Sequence, residues 1–146
     1  MIVVRAAPPE HYRWIAERAQ LVCGSQFRAL EAVDGDRIVA MVGFDGWTPN
    51  AVSMHVALDH PSALRHVLRP AFGIAFDAPP GGAGKGVAVA TVLSTNRASL
   101  RLVKHLGFRE VGRITGGWER GVDLVLLELS RERCRWVAHQ DRRVAA

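Results

Sequence analysis

The sequence has few of the residues that cross-link or ligate small proteins. It contains two cysteines, Cys23 and Cys134, and one tyrosine, Tyr12, among 146 residues. Two distant cysteines are too few for a disulfide framework or a zinc site, so we expect reduced thiols. No apolar run approaches the roughly 18 residues of a membrane span, and the N-terminus lacks a signal-peptide layout. We therefore expect a cytoplasmic protein without a membrane partner.

The composition is that of a folded chain of ordinary domain size. Apolar residues make up 49% of the sequence and charged residues 23%, which excludes a disordered chain. Because no linker or repeat divides the chain, we expect one domain over residues 1–130 and a basic C-terminal tail over residues 131–146. The net charge of +5 favours anionic ligands. Much of the excess lies in the tail, and such a run usually indicates a solvated segment: Arg131, Arg133, Arg135, Arg142 and Arg143.

Hydrophobic periodicity predicts a mixed α/β (α+β) fold, with a largely antiparallel sheet of six or seven strands flanked by helices. The predicted strands are residues 1–5, 27–33, 37–44, 51–58, 87–93, 109–115 and 122–129, and the predicted helices are 10–22, 62–76 and 97–106. Asp34-Gly35-Asp36 predicts a tight hairpin between two strands. A second turn is predicted at Gly116-Gly117. We expect Pro70 to kink or shorten the second helix.

The segment from Asn96 to Phe108 carries the most specific motif. Asn96 is suited to cap a helix, Gly107 to end it in the left-handed conformation, and Phe108 to anchor the next strand. This arrangement, after a buried strand and before two more, resembles the signature of the GNAT superfamily of N-acetyltransferases. Within that superfamily the sequence is most similar to small GNAT-like proteins encoded in tailed-phage genomes. The matching segments are Gly46-Trp47-Thr48-Pro49-Asn50 and Leu68-Arg69-Pro70-Ala71-Phe72.

The resemblance implies acetyl-CoA as the acyl donor, held in a V-shaped opening between residues 51–58 and 87–93. It implies that backbone groups of one strand hold the pantetheine arm, that the following helix N-terminus holds the pyrophosphate, and that the capping asparagine also contacts the donor. The corresponding residues are Val56, Ala57, Leu58, Ser62, Ala63, Leu64, Arg65 and Asn96.

One segment departs from the family pattern. The pyrophosphate loop of the superfamily contains glycines, whereas Asp59-His60-Pro61-Ser62 contains none. Fewer amides would then reach the phosphates. Arg65 and Arg69 could partly compensate as direct phosphate donors.

Catalysis in the superfamily requires a base for the acceptor ammonium and often a tyrosine that protonates the leaving thiolate. The tyrosine position falls on Val103, and Tyr12, in the first predicted helix, is a poor substitute. His55 is the preferred base, since it lies on the mixed face of a predicted strand and ionises near neutral pH. Weaker candidates for the base are Asp45, Asp123 and Glu128, and Trp47 and Trp118 could form a substrate wall or cap the core.

These features together predict an N-acyltransferase that moves an acetyl group from acetyl-CoA to an amine of unknown identity. The alternative is a catalytically degenerate GNAT-like module, related to phage proteins, that binds a protein or another macromolecule. A third interpretation, nucleic-acid binding, requires a basic stripe on one face and steep salt dependence, and it is the least favoured. Strands at the end of the sheet could pair across a homodimer.

Overall fold

The structure, a computed structural model, describes residues 1–137. Its seven strands are β1 (Ile2–Ala6), β2 (Arg28–Asp34), β3 (Arg37–Asp45), β4 (Ala51–Leu58), β5 (Val87–Leu93), β6 (Arg109–Glu119) and β7 (Val122–Ser130). Its α-helices are α1 (Tyr12–Ala19), α2 (Leu64–Phe76) and α3 (Arg97–His105). Short 3₁₀ turns occupy Pro9–His11, Pro61–Ala63 and Arg131–Arg133.

All seven strands form one mixed sheet in the order β1-β2-β3-β4-β5-β7-β6. Every neighbouring pair is antiparallel except β4 and β5, which are parallel. A parallel pair needs a crossover connection, and α2 supplies it between β4 and β5. The predicted fold class is therefore confirmed. Among residues 1–137, no helix combines the length and apolar character needed to cross a bilayer.

The helices divide between the two faces of the sheet. On one face, Ile15 of α1 packs with Phe27, Met41 and Ala57 in a small apolar cluster. On the other face, α2 and α3 cover the larger core, which is centred on aromatic and aliphatic side chains that are almost fully buried: Phe44, Val52, Phe72, Phe76, Val125 and Leu127. Because side chains alternate along a strand, strands β2, β3 and β4 supply both clusters.

Position 43 in β3 must be glycine because the ring of Phe27 packs directly against it. A Cβ built at this position would stand 2.3 Å from Cζ and 2.8 Å from Cε2 of Phe27. We expect Gly43→Ala to destabilise the fold by about 1–3 kcal/mol through overpacking, measured by urea unfolding. Gly112→Ala in β6 is the matched control, because a Cβ there meets nothing within 4 Å. Equal stability of the two variants would contradict this packing.

The predicted turn at Gly116-Gly117 is wrong. Strand β6 continues through both glycines to Glu119, and the hairpin turns at Arg120 and Gly121. Gly116 has φ +61° and donates its N–H to the Asp123 carboxylate at 3.0 Å, within a register shift of the β6–β7 ladder. Gly116 therefore belongs to a strand irregularity that, like a turn, uses positive φ.

Two other features differ from the sequence prediction. Helix α1 ends at Ala19 rather than near Val22, because Gln20 is left-handed at φ 56°. Helix α2 continues through Pro70 without interruption.

The chain after β7 is partly packed. Cys134 and Val137 are buried in the larger core, so this part of the predicted tail is packed against the domain. Arg142 and Arg143 lie outside the described residues.

Candidate active site

The sheet opens between its two parallel strands. Ladder pairing of β4 with β5 covers only three positions, from Ala51 with Val87 to Ser53 with Val89. Beyond that point β4 continues along β3 as far as Leu58, and β5 continues along β7. Residues 54–58 therefore present a backbone edge toward β5 without a strand partner, at the place where the sequence predicts a V-shaped opening.

The opening is lined on the α2 and α3 side by apolar groups. A cavity of about 50 Å³ lies there, bounded by side chains that include Met54, Val56, Val67, Ala90, Val103 and Phe108. Val103, at the position where the resemblance calls for tyrosine, is buried and faces this cavity. The lining therefore contains no hydroxyl that could donate a proton from that position.

His55 also borders the opening and is held by Asp45. Its Nε2 lies 2.8 Å from Oδ1 of Asp45, and the two side chains are 17% and 31% exposed. The β3–β4 register explains the contact, since His55 is opposite Gly43, two positions from Asp45 on the same face. When Nε2–H donates to the carboxylate, Nδ1 keeps its lone pair. In that tautomer the pair leaves one unprotonated ring nitrogen, Nδ1, without a bond to Asp45.

The other two carboxylates considered as bases are occupied elsewhere. Asp123 accepts the N–H of Gly116, and its own N–H donates to Ser94 Oγ at 2.9 Å. Glu128 accepts from Nε and Nη2 of Arg109, at 3.1 and 2.8 Å. Both residues thus brace the β5–β7–β6 region, and Asp45 acts on His55 instead.

The amides expected to bind pyrophosphate already have partners. Ser62 donates its N–H to Nδ1 of His60 at 3.2 Å, and its hydroxyl lies 2.9 Å from the same nitrogen. Ala63 donates to the His60 carbonyl at 2.9 Å, and Leu64 to the Pro61 carbonyl. An anion would have to displace these internal bonds.

Side chains around this turn are better suited to a phosphate. Asp59 forms an ion pair with Arg37, which neutralises the carboxylate that the sequence places near the anion. Arg65 and Arg69 are exposed, and neither forms an ion pair within residues 1–137. Of the sequence-predicted phosphate ligands, the guanidinium groups are the more available.

The Asn96 motif has the local structure that its residue types predict. Asn96 Oδ1 accepts the Ser99 N–H at 3.1 Å and so caps α3. Gly107 has φ +110°, and Phe108 is buried with its ring centroid 6.3 Å from that of Phe72. The motif therefore fixes α3 against the opening, while Asn96 keeps its Nδ2 as a donor.

The aromatic candidates divide into two roles. Trp47 donates Nε1–H to the Gln26 carbonyl at 2.9 Å and stacks on Phe44, so it caps the core and fixes the β3–β4 loop. Trp118 is 47% exposed on β6. Tyr12 packs edge-on against Phe27 on the α1 face.

Cys23 is a residue of this region that the sequence did not indicate. Burial raises the pKa of its thiol, and the Asp45 carboxylate raises it further. The loop between α1 and β2 therefore lies within electrostatic reach of the His55–Asp45 pair. Cys23 also lines an open hollow of about 650 Å³ together with Tyr12 and Arg28.

The influence of Asp45 on Cys23 leads to a specific expectation. Removing the carboxylate in Asp45→Asn removes a charge that disfavours the thiolate, so the thiol pKa falls and alkylation becomes faster at fixed pH. We expect iodoacetamide to label Cys23 slowly in the wild type near neutral pH and faster in Asp45→Asn, read by peptide mass spectrometry. Glu17→Gln, on the exposed side of α1, is the charge-matched control. Equal rates in all three proteins would contradict the proximity.

A second polar network, also missed from the sequence, lies under β1. Glu31 has no exposed surface, and its two oxygens bind Arg5 Nε at 2.9 Å and His11 Nδ1 at 2.8 Å. The network ties β1, β2 and the turn before α1. Its role is structural, because these bonds use both of its carboxylate oxygens.

Comparison with known proteins places this geometry among acetyltransferase folds. No protein-family model and no curated protein matches the sequence. Spermidine/spermine N-acetyltransferase SpeG from Vibrio cholerae superposes with a TM-score of 0.71 at 12% identity, covering 90% of this chain and 95% of that one. The ribosomal-protein-S18-alanine N-acetyltransferase of Escherichia coli gives 0.70 at 14% identity, covering 89% and 94%.

A protein of Desulfovibrio desulfuricans assigned to the GNAT family of acetyltransferases gives a TM-score of 0.70 at 12% identity, with coverage of 89% and 99%. At these identities the similarity establishes the fold. The chain thus has the fold of GNAT-family N-acetyltransferases, and its chemistry has to be argued from the site.

Proposed function

We propose that this protein is an N-acetyltransferase that moves an acetyl group from acetyl-CoA to an amine. The observation that carries the proposal is the divergence of β4 from β5 beside the His55–Asp45 pair. Proteins with the same fold and near-complete mutual coverage are named as N-acetyltransferases, which supports the reaction class. Their acceptors differ from one another, so they do not specify the acceptor of this chain.

The residues of the opening fit an extended acyl donor in two respects. The unpartnered backbone edge at Val56, Ala57 and Leu58 can pair with the amides of a pantetheine arm, as a sheet edge pairs with any extended segment. Arg65 and Arg69 are the available cations for its phosphates. Acetyl-CoA would supply the acetyl thioester, which is activated toward attack by an amine.

His55 would act as the general base. With Nε2–H held by Asp45, its Nδ1 takes a proton from the acceptor ammonium and thereby frees the nitrogen lone pair. Asp45 stabilises the imidazolium that results. The N–C bond forms as the thioester C–S bond breaks. Since Val103 offers no proton to the leaving thiolate, that proton comes from water.

The acceptor would approach from the α1 face. His55 and Asp45 lie on that face, and the open hollow lined by Tyr12, Cys23 and Arg28 lies in the same region. A hollow of about 650 Å³ is in the range of small-molecule sites. Donor and acceptor would thus reach the reacting position from opposite faces of the sheet.

A transfer assay tests this proposal. Purified protein is incubated with acetyl-CoA and, in turn, a polyamine, free amino acids and peptides with a free N-terminal amine. Thiol release and the mass of the acetylated product are followed together. We expect product with at least one amine class, at a rate far above the His55→Ala variant. Thiol release without acetylated amine, or equal rates in both proteins, would contradict it.

A second candidate function is a module that binds another protein. Three observations favour it: the cavity of about 50 Å³ is small beside the roughly 300–1,000 Å³ of typical ligand sites, the turn before α2 is internally bonded, and β6 exposes Val111, Ile114 and Trp118 at the end of the sheet. Exposed apolar groups on an end strand can pair with another chain. The resemblance to phage-encoded GNAT-like proteins is compatible with such a role.

A further inference from the structure

The outer surface of α2 and α3 carries a row of unneutralised cations. Neither helix contains an acidic residue. Five exposed cations lie on them: Arg65, Arg69, Arg97, Arg101 and Lys104. Both helices cover the same face of the sheet and both line the apolar cavity, so they are neighbours. The opposite helix, α1, contains Glu17 and is therefore mixed in charge.

The spacing places the α3 cations along one side of the helix. Positions 97, 101 and 104 follow the i, i+4, i+7 pattern of a single helical face, opposite the buried Val103. Arg97 and Lys104 are about 10 Å apart along the axis at 1.5 Å per residue. Arg65 and Arg69 repeat the i, i+4 spacing on α2. The cations thus extend along the helices rather than meet at one point.

No acidic side chain within residues 1–137 forms an ion pair with any of these five cations. The arginines that do form ion pairs there lie on the strands: Arg5, Arg37, Arg109 and Arg113. Lys104 acts weakly on Glu110, whose pKa is lowered first by its hydrogen bond to Arg113 and then also by Lys104. These five cations are therefore available to an anion from outside the chain.

We propose that this basic row, Arg65, Arg69, Arg97, Arg101 and Lys104, binds the phosphate backbone of nucleic acid without reading its sequence. A polymer with regularly spaced phosphates can contact cations distributed along two helices. A single nucleotide would contact only the cations nearest the opening. Arginine donates two hydrogen bonds to a phosphate in a fixed fork. The aromatic residues of α2, Phe72 and Phe76, are buried, so no base can stack on them. The exposed surface of the row therefore offers charge rather than aromatic stacking, which fits contact with the phosphate backbone.

The row adds a second group of cations to the C-terminal arginines, in which the sequence places much of the excess charge. The proposal does not rest on the proposed acetyl transfer, because the His55–Asp45 pair lies on the other face of the sheet. Arg65 and Arg69 are shared with the proposed acetyl-CoA site, so Arg97, Arg101 and Lys104 of α3 distinguish the two functions.

Fluorescence anisotropy tests the proposal on the full chain. The probes are a labelled single-stranded RNA of about 20 nucleotides and a labelled DNA duplex of about 20 base pairs. Comparing their affinities shows whether the row prefers the phosphate backbone of RNA or that of DNA. We expect a Kd of about 10⁻⁴–10⁻⁶ M. Five phosphate contacts predict a loss of affinity for the RNA of roughly 100-fold between about 50 and 200 mM salt.

Two triple variants with the same change in net charge distinguish the effect of the row on binding from the effect of net charge. Arg97→Glu/Arg101→Glu/Lys104→Glu should weaken binding by roughly tenfold or more, since three of the five phosphate contacts are lost. The control Arg13→Glu/Arg18→Glu/Arg120→Glu reverses three exposed cations on α1 and the β6–β7 turn and should lose far less. If the first variant does not fold, Arg97→Gln/Arg101→Gln/Lys104→Gln must show the loss.

Three results would overturn the proposal. The first is no binding at about 50 mM salt. The second is an equal loss in the α3 variant and its control, which would assign the effect to net charge. The third is that adenosine 3′,5′-bisphosphate binds as tightly as the longer RNA, which would assign the cations to a single-nucleotide site.

Discussion

Replacing His55 by alanine is expected to lower kcat/KM for acetyl transfer by about 10²- to 10⁴-fold, the usual contribution of a general base. His55 borders the opening, and its side chain is only 17% exposed and held by Asp45. The affinity for acetyl-CoA should change little, because the loss concerns proton transfer. Steady-state kinetics with the best acceptor, together with donor titration, measures the two quantities separately.

Three comparisons make this result specific. His105→Ala, an exposed histidine at the end of α3, should retain wild-type rates. Added imidazole should restore part of the activity of His55→Ala, since a free base can occupy the vacated space. Asp45→Asn should lower kcat less than His55→Ala and leave donor affinity intact, because Asp45 positions the ring. Unchanged kcat/KM in His55→Ala would contradict the assignment of the base.

Removing both partners of Glu31 should destabilise the fold more than any other polar change considered. In Arg5→Ala/His11→Ala the fully buried carboxylate loses the groups bonded to Oε1 and Oε2. An uncompensated buried charge costs about 3–5 kcal/mol. Urea unfolding at neutral pH measures this loss as a lower midpoint with an unchanged slope.

A third substitution tests the physical cause. Adding Glu31→Met to the double variant removes the buried charge and fills the same space with apolar atoms, which is often close to neutral for buried ion pairs. The triple variant should therefore be more stable than the double variant. A double variant within about 1 kcal/mol of the wild type, or a triple variant that is less stable still, would show that Glu31 does not need these partners.

Local signals in the sequence predicted most of the fold. Strands β4 and β5 have the predicted bounds, and Asp34-Gly35-Asp36 forms the expected hairpin, because each depends on alternation and turn chemistry within a few residues. Asn96, Gly107 and Phe108 likewise act through neighbours in the chain. The alternation of polar and apolar residues along β4 predicts His55 as the base, and His55 borders the opening.

Features that depend on tertiary contacts could not be predicted from the sequence. Gly116-Gly117 has the composition of a turn, yet Gly117 lies within β6, where a Cβ would stand 2.9 Å from Ile114 Cγ2 and Leu124 Cγ. The pairing of Asp45 with His55 depends on the register of β3 and β4, and the bonding of Ser62 by His60 depends on the 3₁₀ turn before α2. Glu31 gave no signal, since its partners are 20 and 26 residues away.

Isothermal titration calorimetry with acetyl-CoA and with desulfo-CoA tests directly whether the opening between β4 and β5 receives an acyl donor. We expect micromolar binding of both ligands, weakened by Arg65→Ala/Arg69→Ala and unchanged in the matched control Arg13→Ala/Arg18→Ala. The absence of binding at millimolar ligand would contradict this expectation and would leave the partner-binding module as the better explanation of this fold.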